Sequence, residues 1–236
     1  MLNGLRYLGL CALLLNAALL SAQPAKESTP PTAVQFSTED GAVIFADLYG
    51  KSEKAVVLAH GGRFNKESWS AQAQALAAAG FEVLAIDFRG YGKSHGPGDK
   101  DPLSALLELD VRAAVRYLHG IGVKTVSIVG GSMGGSAAGD ASISAPPEEI
   151  NRVVMLGAAP NGPAEKLHSA TLFIVARDDT SGDGPRLPGI QEQFEKAPQP
   201  KKLIVLEGSA HAQYLFQTDQ ADRVMREILN FLTAKE

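Results

Sequence analysis

Residues 125–135 read TVSIVGGSMGG, an apolar run followed by a glycine-rich turn, and a small-residue stretch continues from there to residue 142. The order is that of a strand, a Gly-x-Ser-x-Gly turn and a helix, in which the turn points the serine hydroxyl outward at the C-terminal edge of a sheet. The glycines let neighbouring backbone pass without a Cβ clash. The Met133 amide would lie at a helix N-terminus, facing any developing oxyanion. The stretch therefore predicts Ser132 as a nucleophile and the Met133 N–H as an oxyanion donor.

Two other interpretations of this stretch compete with a nucleophilic serine. The turn can be an ordinary glycine-rich connection whose serine has no chemical role. A phosphate-binding loop is disfavoured, because the Gly-Lys-Ser/Thr ending is missing, as is a dinucleotide-binding Gly-x-Gly-x-x-Gly with a downstream acidic residue. The position of the turn directly after an apolar strand favours the nucleophile.

Apolar runs like the one before Ser132 recur along the chain and alternate with helical patterns. Strands buried on both faces of a parallel sheet have such continuous runs, here residues 55–59, 81–86, 125–129, 153–156, 171–175 and 203–206. Helical patterns lie at residues 68–79, 102–118, 132–142, 191–197 and 219–232. Near the N-terminus, an Asp-Gly pair at residues 40–41 between two alternating runs predicts an antiparallel hairpin. The alternation predicts an α/β fold with a mostly parallel central sheet flanked by helices.

Composition excludes several classes of function. The chain has 22 Lys and Arg against 26 Asp and Glu, a net charge of −4, with no basic cluster of the kind that binds nucleic acid. Its one cysteine, Cys11, lies near the N-terminus, so the rest of the chain offers no disulfide and no cysteine-rich metal site. No His/Asp/Glu cluster has metal-ligand spacing and no cofactor motif is present, so we expect neither a metal nor a cofactor.

The N-terminal segment predicts export. Arg6 precedes an apolar run over residues 8–20, and Leu20-Ser21-Ala22 is a plausible cleavage site, so residues 1–22 are interpreted as a signal peptide. An uncleaved membrane anchor is the alternative, although the apolar run is shorter than the ~20 residues of a spanning helix. Residues 23–32 are expected to be a flexible terminus and residues 33–236 a single domain, monomeric and without a stable membrane span once the leader is removed. The mature protein would then be periplasmic or secreted.

A nucleophilic serine needs a neighbouring base and an acid that orients it. His211 lies just past the apolar run 203–206 and before the last predicted helix, where the end of a strand could present it beside Ser132. Asp178 and Asp179 both follow the run 171–175, and the residues alone leave both as candidates for the acid.

Two further motifs carry a resemblance to a known family. His60-Gly61-Gly62 follows the first long apolar run, and residues 87–94 read DFRGYGKS, which is similar to an Asp-x-Arg-Gly-x-Gly-x-Ser signature. With the turn at Ser132, these motifs make residues 33–236 resemble the α/β-hydrolase superfamily, and residues 60–69 resemble the corresponding loop of its small lidless serine hydrolases and esterases. The segment 157–169 is too short for the cap domain that many relatives insert there.

The resemblance implies a role for each candidate residue. His211 stands where the family holds its base, and the family pattern of a strand followed by Gly-x-x-Asp selects Asp179, with Ala176 in place of the glycine. The loop after His60 would supply the second oxyanion donor, from either Gly62 or Arg63. The implied order of nucleophile, acid and base along the chain is Ser, Asp, His.

The implied function is hydrolysis of a small-molecule carboxylic ester or thioester through an acyl-enzyme. A peptidase or amidase with the same residues, and a non-catalytic binding protein on a hydrolase scaffold, remain as alternatives. Arg63, Arg89 and Arg177 follow predicted strands and would favour an acidic substrate if they lie at the mouth of the site, although solvated loop arginines are the commoner case.

Overall fold

The computed structural model describes residues 30–102 and 105–234. The predicted signal peptide and residues 23–29 of the predicted flexible terminus lie outside the described residues, and so do positions 103–104 and 235–236. Among the helices of the described ranges, none combines the length and the apolar character that crossing a membrane requires.

A twisted sheet of eight strands forms the centre of the fold. The strands are β1 (Thr32–Ser37), β2 (Val43–Tyr49), β3 (Lys54–Ala59), β4 (Glu82–Ile86), β5 (Thr125–Gly131), β6 (Arg152–Leu156), β7 (Ala170–Ala176) and β10 (Lys201–Leu206). Their order across the sheet is β1-β2-β4-β3-β5-β6-β7-β10. The pairs β1–β2 and β2–β4 are antiparallel, and the other pairs are parallel. The predicted N-terminal hairpin and mostly parallel sheet are therefore confirmed.

Helices cover both faces of this sheet. They are α1 (Ser70–Ala78), α2 (Leu107–Gly120), α3 (Met133–Ser144), α4 (Leu187–Lys196) and α5 (Ala221–Thr233). The short strands β8 (Thr180–Ser181) and β9 (Gly184–Pro185) form a small antiparallel ribbon between β7 and α4. Between β6 and β7 lies only a single 3-10 turn, Ala164–Lys166, so no large cap covers the C-terminal edge of the sheet.

Two helix boundaries differ from the prediction. The expected helix over residues 102–118 begins only at Leu107, and no side-chain hydrogen bond caps it. The helix expected over residues 191–197 begins earlier, at Leu187, with Pro188 in its first turn. Proline at a helix start is tolerated because the first amides have no partner within the helix, so Pro188-Gly189 does not end the element as it would in a helix interior.

The continuous apolar strands are buried because each face of the sheet packs on its own core. On one face α2, α3 and α4 cover one cluster of buried residues, and on the other α1 and α5 cover a second. The strand β4 is buried along all five residues. Alternate residues of one strand belong to different cores, for example Val56 on one face and Val57 on the other, which is why these runs show no polar alternation.

A group of three charged side chains, of which Arg89 and Asp110 are buried and Asp40 is partly exposed, joins the hairpin to α2. The Arg89 guanidinium, 1% exposed, donates to Asp110 Oδ1 from Nε at 2.9 Å and to Asp40 Oδ1 from Nη2 at 3.0 Å. Its bond to Asp40 holds the pKa of that carboxyl at about 2. Burial raises the pKa of Asp110, opposed by its hydrogen bonds with Arg89. Arg89 thus lies in the interior of the fold and does not reach the mouth of any site.

Candidate active site

Ser132 lies in the turn between β5 and α3 with a strained backbone. Its φ is 51° and its ψ is −119°, in the region that L side chains rarely adopt, and its amide donates to Leu156 O at 2.9 Å. A Cβ on Gly130 would lie 2.2 Å from Gly134 O, and one on Gly134 would lie 2.3 Å from Ala59 O. Because backbone fills the space a side chain would need, glycine is required at both positions for so tight a turn.

His211 bridges Ser132 and Asp179. Its Nε2 lies 2.7 Å from Ser132 Oγ, and its Nδ1 lies 2.7 Å from Asp179 Oδ2. An ionised carboxylate only accepts, so Nδ1 carries the proton and Nε2 presents a lone pair to the serine hydroxyl. The three residues follow β5, β7 and β10, whose C-terminal ends meet at one edge of the sheet.

Only one of the two candidate acids contacts the imidazole. Asp179 is fully buried beside His211, whereas the Asp178 side chain is exposed to solvent. The backbone explains the difference, since the amide of Asp178 donates to Gly208 O and the amide of Asp179 turns back to Ala176 O. Ala176, which stands where the family pattern has glycine, is fully buried at the end of β7.

Arg186 contacts Asp179 from the side away from His211, and no sequence motif identifies it. Its Nε lies 3.4 Å from Asp179 Oδ1, an ion-pair distance without the geometry of a hydrogen bond, and both atoms are buried. The backbone amide of Arg186 donates to Asp179 O at 2.9 Å. The β8–β9 ribbon folds the chain back between the two residues, which is why they meet.

The loop after β3 faces Ser132 and is held by two side chains. Gln213 Oε1 accepts from the Gly61 amide at 2.7 Å while Gln213 Nε2 donates to Ser68 Oγ at 2.7 Å. Tyr91 Oη donates to Gly62 O at 3.0 Å. Gln213 lies two residues after the base, so a single buried side chain connects the His211 loop to the loop beside it.

These contacts occupy some amides and leave others available. The Gly61 N–H is taken by Gln213, whereas the N–H groups of Gly62, Arg63 and Met133 make no hydrogen bond within residues 30–102 and 105–234. Gly62 and Arg63 therefore both remain candidates for the second oxyanion donor, as the sequence left them.

His60 is buried behind the loop. Its Nδ1 lies 2.9 Å from Gly61 O and its Nε2 lies 3.2 Å from the Phe88 amide nitrogen, so Nδ1 donates and Nε2 accepts in the neutral ring. Burial lowers the pKa of His60 to about 4. The ring also packs edge-on against Tyr91 at a centroid distance of 4.6 Å. His60 therefore supports the loop from behind and makes no contact with the Ser132 hydroxyl.

Two cavities of about 530 Å³ each adjoin Ser132, with different residues beyond it. The one between the Gly62 loop and the β8–β9 ribbon, which we term the arginine cavity, includes Arg63, Phe64, Arg186, His211 and Tyr214 in its lining. The one between α2, α3 and α4, which we term the carboxylate cavity, includes Glu108, Asp140, Asp183 and Arg186. Ser132, Met133, Ser181 and Arg186 line both.

Of the three arginines considered from the sequence, one lines the site. Arg63 borders the arginine cavity. Arg89 is buried between Asp40 and Asp110, and Arg177 pairs with Glu207 at 3.0 Å on the surface. In the part of the chain that the structure describes, no group of three or more His, Cys, Asp or Glu side chains is arranged to hold a metal ion.

Comparison with known proteins gives a family match and two kinds of relative. A family model described as alpha/beta hydrolase fold matches residues 54–217. The chain is 39% identical to bifunctional epoxide hydrolase 2 of Sus scrofa over 84 residues, which are 36% of this chain and 15% of that protein. It is 30% identical over 122 residues to a 2-hydroxy-6-oxononadienedioate/2-hydroxy-6-oxononatrienedioate hydrolase of Dechloromonas aromatica, with 49% of this chain and 40% of that protein covered. The chain thus matches less than half the length of either relative.

Solved structures share the fold at low sequence identity. An esterase from Pyrococcus furiosus superposes with a TM-score of 0.71 at 20% identity, covering 86% of this chain and 91% of that one. An esterase from Exiguobacterium antarcticum superposes with a TM-score of 0.70 at 16% identity, covering 86% and 100%.

Proposed function

Because the chain belongs to the α/β-hydrolase fold family, we propose that it is a serine hydrolase that cleaves carboxylic ester or thioester bonds through an acyl-enzyme on Ser132. The observation that carries the proposal is the pair of 2.7 Å contacts that join Ser132 Oγ to His211 Nε2 and His211 Nδ1 to Asp179 Oδ2. The names of both relatives given above are those of hydrolases, which supports hydrolysis without indicating the bond.

In the first half-reaction Ser132 Oγ attacks the carbonyl carbon and its proton passes to His211 Nε2. The carbonyl oxygen becomes an oxyanion, which accepts hydrogen bonds from the Met133 N–H and from the N–H of Gly62 or Arg63. The intermediate collapses as His211 gives its proton to the leaving oxygen or sulfur, and the acyl group stays on Ser132. Buried Asp179 stabilises the imidazolium that forms in between.

In the second half-reaction a water molecule takes the place of the leaving group. His211 Nε2 accepts a proton from the water as its oxygen attacks the acyl carbon, and the same oxyanion donors stabilise the second tetrahedral intermediate. Collapse of this intermediate returns the proton to Ser132 Oγ and releases the carboxylic acid. The cycle consumes one ester and one water and needs no further reactant.

Replacing the nucleophile tests the proposal. We expect Ser132→Ala to lower turnover of p-nitrophenyl butyrate by about 10⁴-fold or more. When a serine, histidine and aspartate act as a unit, loss of the nucleophile alone costs about as much activity as loss of all three. Covalent labelling by a fluorophosphonate should disappear as well. Ser144→Ala is the matched control, because that hydroxyl lies at the other end of α3 and bonds only within the helix, to Ala141 O. Full activity of folded Ser132→Ala would contradict the proposal.

The alternatives are separated by the substrate and by the probe. A peptidase or amidase would turn over p-nitroanilide substrates at a rate comparable with the matched p-nitrophenyl esters, whereas an esterase should favour the esters strongly. A binding protein without catalytic activity would leave the folded wild-type chain unlabelled by the fluorophosphonate.

A further inference from the structure

The charges around Ser132 are distributed unequally between the two cavities. In the arginine cavity the charged lining residues are Arg63 and Arg186, and no Asp or Glu is among its lining residues. The carboxylate cavity carries Glu108, Asp140 and Asp183 against the shared Arg186. A substrate that spans Ser132 therefore meets positive charge on one side of the bond to be cleaved and mainly negative charge on the other.

Both arginines have guanidinium nitrogens that can bind a ligand. Arg63 makes no hydrogen bond or ion pair within the described ranges. Arg186 approaches Asp179 through Nε, while its two terminal nitrogens contact no acceptor among the same residues. Other arginines are already satisfied by carboxylates, Arg89 by Asp40 and Asp110 and Arg177 by Glu207. The guanidinium of Arg63 and the two terminal nitrogens of Arg186, beside one cavity, are suited to a planar, two-oxygen anion.

We infer that the arginine cavity binds a carboxylate carried by the substrate, so that the protein prefers esters with one anionic end. The inference rests on the proposed function, because the ester bond must lie at Ser132 for the carboxylate to reach the cavity. Phe64 and Tyr214, whose rings pack at a centroid distance of 5.0 Å, give the same cavity an aromatic wall for the apolar part between the ester and the carboxylate.

The carboxylate cavity disfavours the anionic end of the substrate, which therefore lies in the arginine cavity. Burial raises the pKa of Glu108, and the nearby Asp140 acts in the same direction, so added negative charge is already unfavourable there. A second anionic group on the substrate would be repelled from this side. The preferred substrate thus has a single carboxylate, and its other end is neutral, hydroxylated or cationic.

Two pairs of esters test the preference. The first pair places the charge on the acyl part, as mono-p-nitrophenyl glutarate against p-nitrophenyl pentanoate. The second places it on the alcohol part, as p-acetoxybenzoate against p-acetoxybenzamide. We expect kcat/KM for the anionic ester to exceed that for its neutral partner by about tenfold or more in one pair, since a charge-assisted hydrogen bond contributes about that much. Raising the salt concentration should reduce the ratio of kcat/KM for the anionic ester to that for the neutral ester.

Variants then assign the preference to the two arginines. Arg63→Gln and Arg186→Gln should each lower the ratio of anionic to neutral kcat/KM by about tenfold, whatever they do to the neutral ester alone. Arg177→Gln is the matched control, because this arginine is exposed, pairs with Glu207 and does not line either cavity. The ratio of anionic to neutral kcat/KM should be the same for Arg177→Gln as for the wild type. Thermal unfolding of each variant verifies that the fold is retained.

The possible failures can be told apart. If the wild type hydrolyses the neutral esters and reacts with a fluorophosphonate but shows no anionic preference in either pair, the carboxylate site is wrong and the serine hydrolase stands. A preference that survives both arginine substitutions also contradicts the inference. If the wild type neither reacts with the probe nor turns over any of the four esters, the proposed function fails, and the substrate class with it.

Discussion

Gly157 lies against the contact between Asp179 and His211. It follows β6 with a φ of +59°, and a Cβ there would lie 3.0 Å from His211 Nδ1 and 3.1 Å from Asp179 Oδ2. Both distances are shorter than ordinary contacts of a methyl group, so any side chain at this position must displace the imidazole or the carboxylate. The absence of a side chain at Gly157 is therefore part of the geometry that holds the imidazole of His211 against Asp179.

We expect Gly157→Ala to lower kcat/KM for p-nitrophenyl butyrate on the order of 10²-fold, because small displacements within a catalytic group cost that much. Gly41→Ala is the matched control, since Gly41 also has a positive φ, +87°, but its added Cβ would meet no atom within 4 Å. Both variants should lose a similar ~1–2 kcal/mol of stability from the backbone conformation, and only the first should lose activity. Equal activities would show that the base tolerates the methyl group.

At the scale of elements, local sequence patterns predict the strands. They misplace two helix starts, which depend on contacts with distant parts of the chain. The strand runs are predicted well because β3 to β7 are almost entirely buried, and because the edge strand β10 still carries the apolar run Leu203–Leu206. The start of α2 was misplaced because Asp101-Pro102 is a good local start signal, yet the helix begins only at Leu107. The start of α4 was missed because Pro188-Gly189 reads as a break in the sequence.

The charged group at Arg89 connects three of these elements, and it gives a prediction about stability. Arg89→Met should lower the free energy of unfolding by about 3–5 kcal/mol, because it leaves the fully buried Asp110 carboxylate with a backbone amide as donor but without its charged partner. Arg116→Met on α2, the helix that carries Asp110, should lower the free energy of unfolding by less than about 1 kcal/mol, since the ion pair of Arg116 with Glu39 is exposed. Urea denaturation measures both. Adding Asp110→Leu to Arg89→Met should recover part of the loss, and a further loss would contradict this explanation.

At the scale of the molecule, sequence patterns identified the three residues of the candidate site one strand at a time. Ser132, His211 and the pair Asp178-Asp179 each directly follow a strand or the loop after it, so the parallel sheet alone predicts that they converge. Arg186 and Gln213 were missed because their contacts depend on how separate loops fold over the edge of the sheet. The spacing of residues along the chain does not predict contacts between separate loops.

The buried His60 gives the molecule a pH dependence of stability. Its pKa in the folded state, about 4, is below the ordinary 6.5, so the unfolded chain takes up a proton first as the pH falls. His60 therefore lowers stability progressively below pH 6.5, by about 3 kcal/mol once the pH reaches 4.

We expect urea denaturation of the wild type at pH 7, 5.5 and 4 to show this decline, and His60→Gln to show a smaller one. His95→Gln is the control, because the His95 side chain is exposed and its curve should follow the wild type. If the two variants have the same pH dependence, burial of His60 is not its source.

The side chain of Gln213 couples the opening of two loops of the candidate site. Its oxygen accepts from the Gly61 amide, and its own backbone lies two residues after His211. A fluctuation that lifts the His211 loop must break that bond, after which Tyr91 still holds the loop after β3 through Gly62 O. Local opening at His211 would thus also loosen the segment of Gly62 and Arg63, as in neighbouring segments that exchange their amide protons together.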